Sequence, residues 1–306
     1  MTLTLSGDAD AGDTITVSYT MPGSNPLQDA DGKRSSSFSG ESVTNNVSAF
    51  CAEYQAVYDS FTTKPSDAEA AIWNTFVESI VASGEWAMLD VFYNYAVHTN
   101  GDGEALKNWK NPGTFNPTLV NAPDFGINEG FTGNGSDNYI DCNWVPSTDG
   151  VNYVRNSASQ IIYIRTDLAP GTTDVHGVHG AADNKNCMIV PRHWDDKAYI
   201  RINDATGISG ANTNGSGMYI NTRTAAAVNK LYKNKAVLIN GTTNSIGVPT
   251  NNPYCLAGND DNVAVAFRAD QVSMYAFGGG FTQTNVNNLT DAFETAMDAL
   301  GTGIIP

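Results

Sequence analysis

Basic residues are scarce in this chain: 16 Lys and Arg stand against 32 Asp and Glu, a formal charge of −16. A field of that sign repels phosphate backbones and anionic lipid heads, which argues against nucleic-acid and membrane-surface partners. Charge of either sign is sparse at 16%, while 41% of residues are apolar and 10% aromatic, so a disordered chain is excluded. No apolar run approaches the roughly 18–20 residues that cross a bilayer, so no membrane insertion is expected. The opening MTLTLSGDADAGDTITVSYT lacks a basic n-region and an apolar h-region, and no secretory signal is expected from it. Cysteine is rare as well. Cys51, Cys142, Cys187 and Cys255 are scattered without a C-x-x-C pair, which fits neither a compact disulfide framework nor paired zinc ligands. Four buried thiols in a chain made in a reducing cytoplasm is the expectation.

What remains is a β-rich vocabulary. The 306 residues include 29 Gly and 12 Pro amid abundant Asn, Thr and Ser, enough chain for two modest domains or one large β domain with an appendage. Leu3–Leu5 and Thr14–Thr20 alternate apolar and polar residues around Gly12-Asp13, and Ser35–Val43 reads as a third strand after turns at Pro22-Gly23 and Asp29–Gly32. Residues 1–46 thus form a first β segment. Residues 47–84 read as a helical hairpin connector. Phe50, Tyr54, Val57 or Tyr58, and Phe61 recur at helical spacing after the polar run Thr44–Asn46; Ser66 and Glu69 form a capping box before the stripe Ile72, Phe76, Ile80, which Gly84 ends. From residue 85 to 306, short alternating runs (SASQIIYIRT, NCMIVP, KAYIRIN, GMYINTRT, KLYKNKAVLIN, NVAVAFRA, VSMYAFGG) are separated by turn signals. Asn-Gly at 100–101, 134–135, 214–215 and 240–241 marks hairpins. Without helical crossovers the sheets should be antiparallel and stacked as a sandwich. Val286, Leu289, Phe293, Met297 and Leu300 trace one last helix, closed by Gly301.

Two resemblances attach to these segments. Gly12-Asp13, Val17, Tyr19, Pro26-Leu27, Asp29, Gly32, Phe38, Val43 and Asn45 hold the places of the closing half of a bacterial immunoglobulin-like (Ig-like) repeat of the SwmB type. Only three strands of the seven such a sandwich needs are present, so this half-module is expected to dock on the chain's own helices or complete a sheet with a neighbouring chain. Farther on, Trp86-x-x-Leu89-Asp90-x-Phe92-Tyr93, Ala105-Leu106-x-Asn108-Trp109-Lys110-Asn111-Pro112, Gly130-Phe131-x-Gly133-x-Gly135 and Tyr139-Ile140 resemble the concanavalin A-like, laminin-G-like jelly rolls of phage virion proteins. Leu231-Tyr232-Lys233-Asn234 resembles the L-Y-x-N-G hairpin of that family, with Lys235 in place of its Gly. The fold class expected is therefore mainly β: an antiparallel β-sandwich of concanavalin-like jelly-roll type, preceded by a small Ig-like segment and a short helical hairpin.

Chemistry is harder to place. A retaining glycosidase needs two carboxyls about 5–5.5 Å apart, and the E-x-D-x-x-E or E-x-D-x-E strand that supplies them in concanavalin-like enzymes is missing. Beyond Glu104 only Glu129 and Glu294 remain. No catalytic residues are assigned and no enzymatic activity is expected. His176-x-x-His179, with His193 and Asp195-Asp196, lacks the Glu and the helical pattern of a zinc protease motif and reads as loop chemistry. No nucleotide-phosphate loop and no nucleophile elbow occur. No cofactor is called; calcium is the one metal the residues suit, as the laminin-G-like resemblance implies a rim calcium and Asp137, Asp183, Asp260 and Asp261 are loop oxygens fit for a hard cation. For sugar stacking the candidates are Trp144, Tyr153, Trp194 and Tyr254, each beside a turn-rich segment and each more readily read as core.

Together the resemblances imply a non-enzymatic bacteriophage structural protein on the virion exterior, a capsid decoration, head fibre or tail adhesion component, made in the bacterial host cytoplasm. The implied partners are other virion proteins, further copies of the chain in a homo-oligomer, and a host-surface carbohydrate. The alternatives are a polysaccharide-acting enzyme, a free lectin of concanavalin-like fold, or a cement protein without ligand.

Overall fold

A computed structural model describes residues 13–43, 50–169, 175–179 and 182–306, and the chain divides into two compact units, 1–50 and 51–306. In the small unit Ile15–Tyr19 pairs antiparallel with Phe38–Val43. Tyr19 and Phe38 stack across the pair at 5.6 Å, and the Tyr19 hydroxyl accepts the Leu27 N–H at 2.8 Å, tying the long connection back onto the hairpin. The expected strand at Leu3–Leu5 and the run Thr44–Asn46 lie outside the described residues.

The large unit is mainly β, built of antiparallel sheets with few helices. One sheet has nine strands. Its main path runs Ile208–Ala211, Lys197–Asp204, Asn186–Val190, His176–Val178, Tyr254–Cys255, Tyr139–Asp141 and Thr118–Val120, and the hairpin of Gly258–Asp260 with Val263–Val265 branches from His176–Val178. The other has eight: Ala236–Gly241, Val228–Lys233, Gly217–Ala225, Ala158–Ile164, Gln271–Gly278, Gly130–Thr132 and Asp124–Gly126, with Leu89–Asn94 also on Gln271–Gly278. Among the described residues only Gly258–Asp260 runs parallel to its neighbour, His176–Val178.

The eight-stranded sheet is the middle of three layers, and its sequence shows why. Ala158–Ile164 is buried at every position, a near-continuous apolar run rather than a clean alternation. Its odd positions face the helices: Tyr163 packs on Phe293 at 5.1 Å, and its hydroxyl donates to Glu294 at 2.5 Å. Gln160 faces the opposite way and donates to the His176 carbonyl of the nine-stranded sheet at 2.9 Å. The helices expected as a connector are thus a layer of the large unit. Asp67–Ala82 starts at Ser66, whose hydroxyl and Glu69 close the expected capping box, and its Phe76 meets Phe92 of the sheet and Phe293 of Gln283–Ala299 at 5.6 and 5.5 Å. The preceding helix is Ala52–Ser60, with Tyr54 and Val57 buried.

At one side the two sheets nearly touch. A Cβ on Gly210 would come within 2.7 Å of the Leu238 carbonyl, so only glycine lets Ile208–Ala211 lie against Ala236–Gly241. That also corrects the hairpin expectations: Asn240-Gly241 ends a strand rather than making a turn, and Asn-Gly at 100–101, 134–135 and 214–215 lies in connections between strands of different sheets. The turn is Asn234-Lys235, with both residues at positive φ, 47° and 73°. A left-handed lysine costs about 1–2 kcal/mol, whereas its exposed ion pair with Asp291 at 2.6 Å returns at most about 1 kcal/mol. Lys235→Gly is therefore expected to raise the melting temperature by about 2–3 °C; a lower value would show that the ion pair outweighs the strain.

Candidate functional site

Three of the four aromatic candidates are core. Trp144 is 0% exposed, Tyr153 1% and Tyr254 5%. Trp144 sits between Tyr153 and Phe277 at 5.7 and 5.3 Å, and Tyr254 lies 4.5 Å from Tyr139. Their ring faces are spent on protein neighbours, so none offers a stacking surface, and they are withdrawn as ligand residues. Trp194 is the opposite case. At 66% exposure it is the one aromatic side chain among the described residues that stands in solvent.

Its position follows from local chemistry. The 191–196 turn joins Asn186–Val190 to Lys197–Asp204, and the His193 N–H donates to the Lys197 carbonyl at 2.8 Å. Asp196 takes a left-handed φ of 55° to close the turn, and Asn212 donates its N–H to the Asp196 carbonyl at 2.8 Å. Arg192 then braces the tip: its Nε reaches Asp196 at 2.8 Å and its Nη1 reaches Asp167 at 3.2 Å. Asp195 collects Lys197 Nζ at 2.7 Å, the Tyr199 hydroxyl at 2.9 Å and His193 Nδ1 at 3.1 Å. The Lys197 hydrogen bond is the largest influence holding the Asp195 carboxyl well below the usual carboxylate range, with Tyr199 and His193 adding to it. An exposed indole is thus carried on a fixed tip, a pre-organised surface that loses little freedom when a ligand binds.

From this tip a stripe runs onto the face of the nine-stranded sheet that points away from the eight-stranded one. His193 lies 5.5 Å from the Trp194 ring and 4.9 Å from Tyr199. Lys197–Asp204 alternates, with Ala198, Ile200 and Ile202 buried and Tyr199 and Arg201 half-exposed. Beside Tyr199 lies a small apolar floor of Val175, Met188 and Val190. Next along the strand comes Arg201, and on the same face of the sheet lies His179. Burial first, then the Arg201 charge, pushes the His179 imidazole below its ordinary value, with Asp260 opposing. The sequence reading named neither Tyr199 nor Arg201 for this role; the alternation of KAYIRIN already placed both on one face.

The remaining candidates are dispersed. Asp137 bonds the Asn134 side-chain amide at 2.7 Å within its own loop. Asp183 pairs with Lys185 at 3.0 Å and accepts Thr250 at 3.0 Å, while Asp261 accepts the Ala182 N–H at 3.0 Å and Asn251 at 3.1 Å, so these two carboxylates meet one turn. Asp260 lies in the Gly258–Asp260 strand. Among the described residues no three of His, Cys, Asp or Glu gather closely enough to hold a metal ion. The three histidines of the H-x-x-H constellation do not converge. His176 is in the core, its Nε2 3.0 Å from Asp270 and its Nδ1 accepting the Leu256 N–H at 3.0 Å, while His179 is on the sheet face and His193 in the turn. Cys142, Cys187 and Cys255 are buried, Cys51 is half-buried, and all four are free thiols; burial pushes the Cys187 thiol up to about 12. Among the described residues no helix is long and apolar enough to cross a membrane.

No protein-family model matches the chain, and no curated protein matches it. Solved structures do. Trypanosoma rangeli sialidase in complex with sialic acid aligns at 10% identity and TM-score 0.47, over 74% of this chain and 39% of the sialidase. Domain 4 of a GH43 extracellular arabinanase from Geobacillus stearothermophilus, in complex with arabinotriose, aligns at 16% identity and TM-score 0.42, over 66% of this chain and 98% of that domain. The binding domain of botulinum neurotoxin serotype D aligns at 10% identity and TM-score 0.45, over 67% of this chain and 52% of its own. The matched region spans about two-fifths of the sialidase's length. The expectation of a chain without enzymatic activity is corrected by these matches, since glycosidases are among them, and it is not retained.

Proposed function

We propose that the large unit is a carbohydrate-binding β-sandwich whose ligand lies along the stripe from Trp194 to Arg201. The presentation of Trp194 carries this reading: an indole 66% exposed, on a turn braced by Arg192, Asp195 and Asp196, beside ionic and hydroxyl groups. A pyranose stacks its apolar face on such a ring and gives its hydroxyls to the polar rim. On a glycan array the chain is expected to retain a defined set of saccharides. Trp194→Ala should weaken those at least tenfold, about 1.4 kcal/mol, while leaving the melting temperature within about 2 °C because the side chain supports nothing. Full retention by the variant would remove the reading. Release of new reducing ends from a retained polysaccharide would assign hydrolysis to the same face, and retention without release would assign a lectin. A second proposal, display on a virion exterior, is supported by the resemblances of the sequence and by the small β unit that stands as a compact unit of its own, suited to attachment. Mass spectrometry of purified particles tests it.

A further inference from the structure

Arg201 is an anomaly in a chain with twice as many acids as bases. It is half-buried, yet among the described residues its guanidinium has neither an ion-pair nor a hydrogen-bond partner, and its Nε is buried with its donor unused. The other arginines of the large unit are all engaged: Arg155 with Ser245, Arg165 with Gln271, Arg192 with Asp167 and Asp196, Arg223 with Asp204, Arg268 with Asp270. Asp204 is the acid whose charge acts on Arg201, but it makes no hydrogen bond to it: its Oδ2 is held by Arg223 at 2.7 Å and Thr243 at 2.6 Å. Burial pushes the Arg201 guanidinium down, with the Asp204 charge opposing it.

The surroundings repeat the pattern. His179 Nδ1 and Asn186 Oδ1 are also buried without partners. Register puts them together. Met188 pairs with Arg201 and with Gly177, and Asn186 lies two residues from Met188 on the same face, as His179 lies two from Gly177. At the other flank Gly207 lies against the guanidinium, where a Cβ would sit 3.6 Å from Nε. One half-buried cation, one imidazole and one amide oxygen thus share a face, each with capacity the protein does not use, two strand positions from Tyr199.

We propose that Arg201, with His179 beside it, receives the carboxylate of an acidic saccharide, so that the ligand of this face is an oligosaccharide carrying a uronic or similar sugar acid. The inference rests on the carbohydrate reading above and names its ligand class. The two Nη atoms at the end of the guanidinium, which unlike Nε are not buried, match the two oxygens of a carboxylate, a geometry a lysine cannot copy. From the start of Lys197–Asp204 to Arg201 is roughly 13 Å at about 3.3 Å per residue, so two to four sugar rings span the distance from the Trp194 turn. The long-range field of the −16 chain opposes every anion equally, so the preference must come from this contact.

The test is a glycan array printed with matched pairs, uronate oligosaccharides beside their carboxyl-reduced neutral forms and sulfated neutral forms, read with the full chain and with Arg201→Leu, Arg201→Lys and Trp194→Ala. The expected result is a preference of at least tenfold for uronate over both counterparts, erased in Arg201→Leu and only partly kept in Arg201→Lys. The melting temperature of Arg201→Leu should hold or rise, since the unpaired cation is a cost to folding. Equal retention of uronate and neutral forms, a preference for sulfate, or an undiminished preference in Arg201→Leu would each overturn the proposal while leaving the carbohydrate reading intact. No retention of any saccharide would overturn both.

Discussion

Asp270→Ala is expected to lower the stability of the large unit by about 3–5 kcal/mol, the usual cost of leaving a buried charge without its counterpart, and so to lower the melting temperature by roughly 10 °C. Asp270 is almost fully buried; its Oδ2 lies 3.0 Å from His176 Nε2 and binds Arg268 Nε, and Thr166 reaches Oδ1 at 3.3 Å. Through His176, whose carbonyl accepts from Gln160, and through Arg268, whose N–H donates to the Leu256 carbonyl, this carboxylate ties the centre of the sandwich together. Asp270→Asn, which keeps the shape and part of the hydrogen bonding, should cost about half as much. Burial by itself pushes the carboxyl up, but Arg268 and then His176 outweigh it and hold it well below the usual carboxylate range. Because the native value lies below the unfolded value of about 3.9, the stabilisation is complete above that pH and drains away as pH falls beneath it. Melting curves from pH 7 to pH 3 should show an acid limb in the wild type that is shallower in Asp270→Asn. An unchanged limb would show that other carboxylates dominate acid unfolding.

A second large loss is expected on breaking the other buried pair. Arg223 is fully buried between the sheets. It donates from Nε to the Ile202 carbonyl at 2.9 Å, from Nη1 to the carbonyls of Ala226 and Thr243 at 2.6 and 2.8 Å, and from Nη2 to Asp204 at 2.7 Å. Burial pushes the Asp204 carboxyl up and the Arg223 guanidinium down, so the pair is desolvated at a cost to both partners. Asp204→Ala should therefore cost about 3 kcal/mol, whereas Asp204→Leu with Arg223→Met should return to within about 1 kcal/mol of the wild type. Urea unfolding at unchanged m-value is the measurement. A double variant as unstable as the single would mean that the carbonyl contacts, rather than the ion pair, hold this end of the sandwich.

How much of this was legible in the sequence depended on range. The Ser66–Glu69 capping box and the 286–300 stripe involve neighbours within one or two helical turns, and both stand where their spacing put them. KAYIRIN, read as a strand, lies within Lys197–Asp204. What separated residues do to each other was not legible. His176–Val178 lies between Asn186–Val190 and Tyr254–Cys255, a neighbour almost eighty residues away, and no local pattern announces that pairing. The aromatic candidates failed for a related reason. Trp144 and Trp194 both sit beside turns, but a ring suits a core and a stacking surface equally, and only tertiary packing tells them apart. Arg201 was beyond reach for a sharper reason: its meaning lies in the partner it lacks, which exists only as a property of the folded face.

The five tryptophans permit a direct test of that face. Trp73, Trp86, Trp109 and Trp144 are buried and Trp194 alone is exposed, so acrylamide quenching of indole fluorescence reports on the turn that carries Trp194. Adding the saccharide retained most tightly on the array should shield the quenchable fraction in the wild type, and Trp194→Phe should show no quenchable fraction to shield. A saccharide that binds while leaving wild-type quenching unchanged would place the ligand elsewhere and contradict the account.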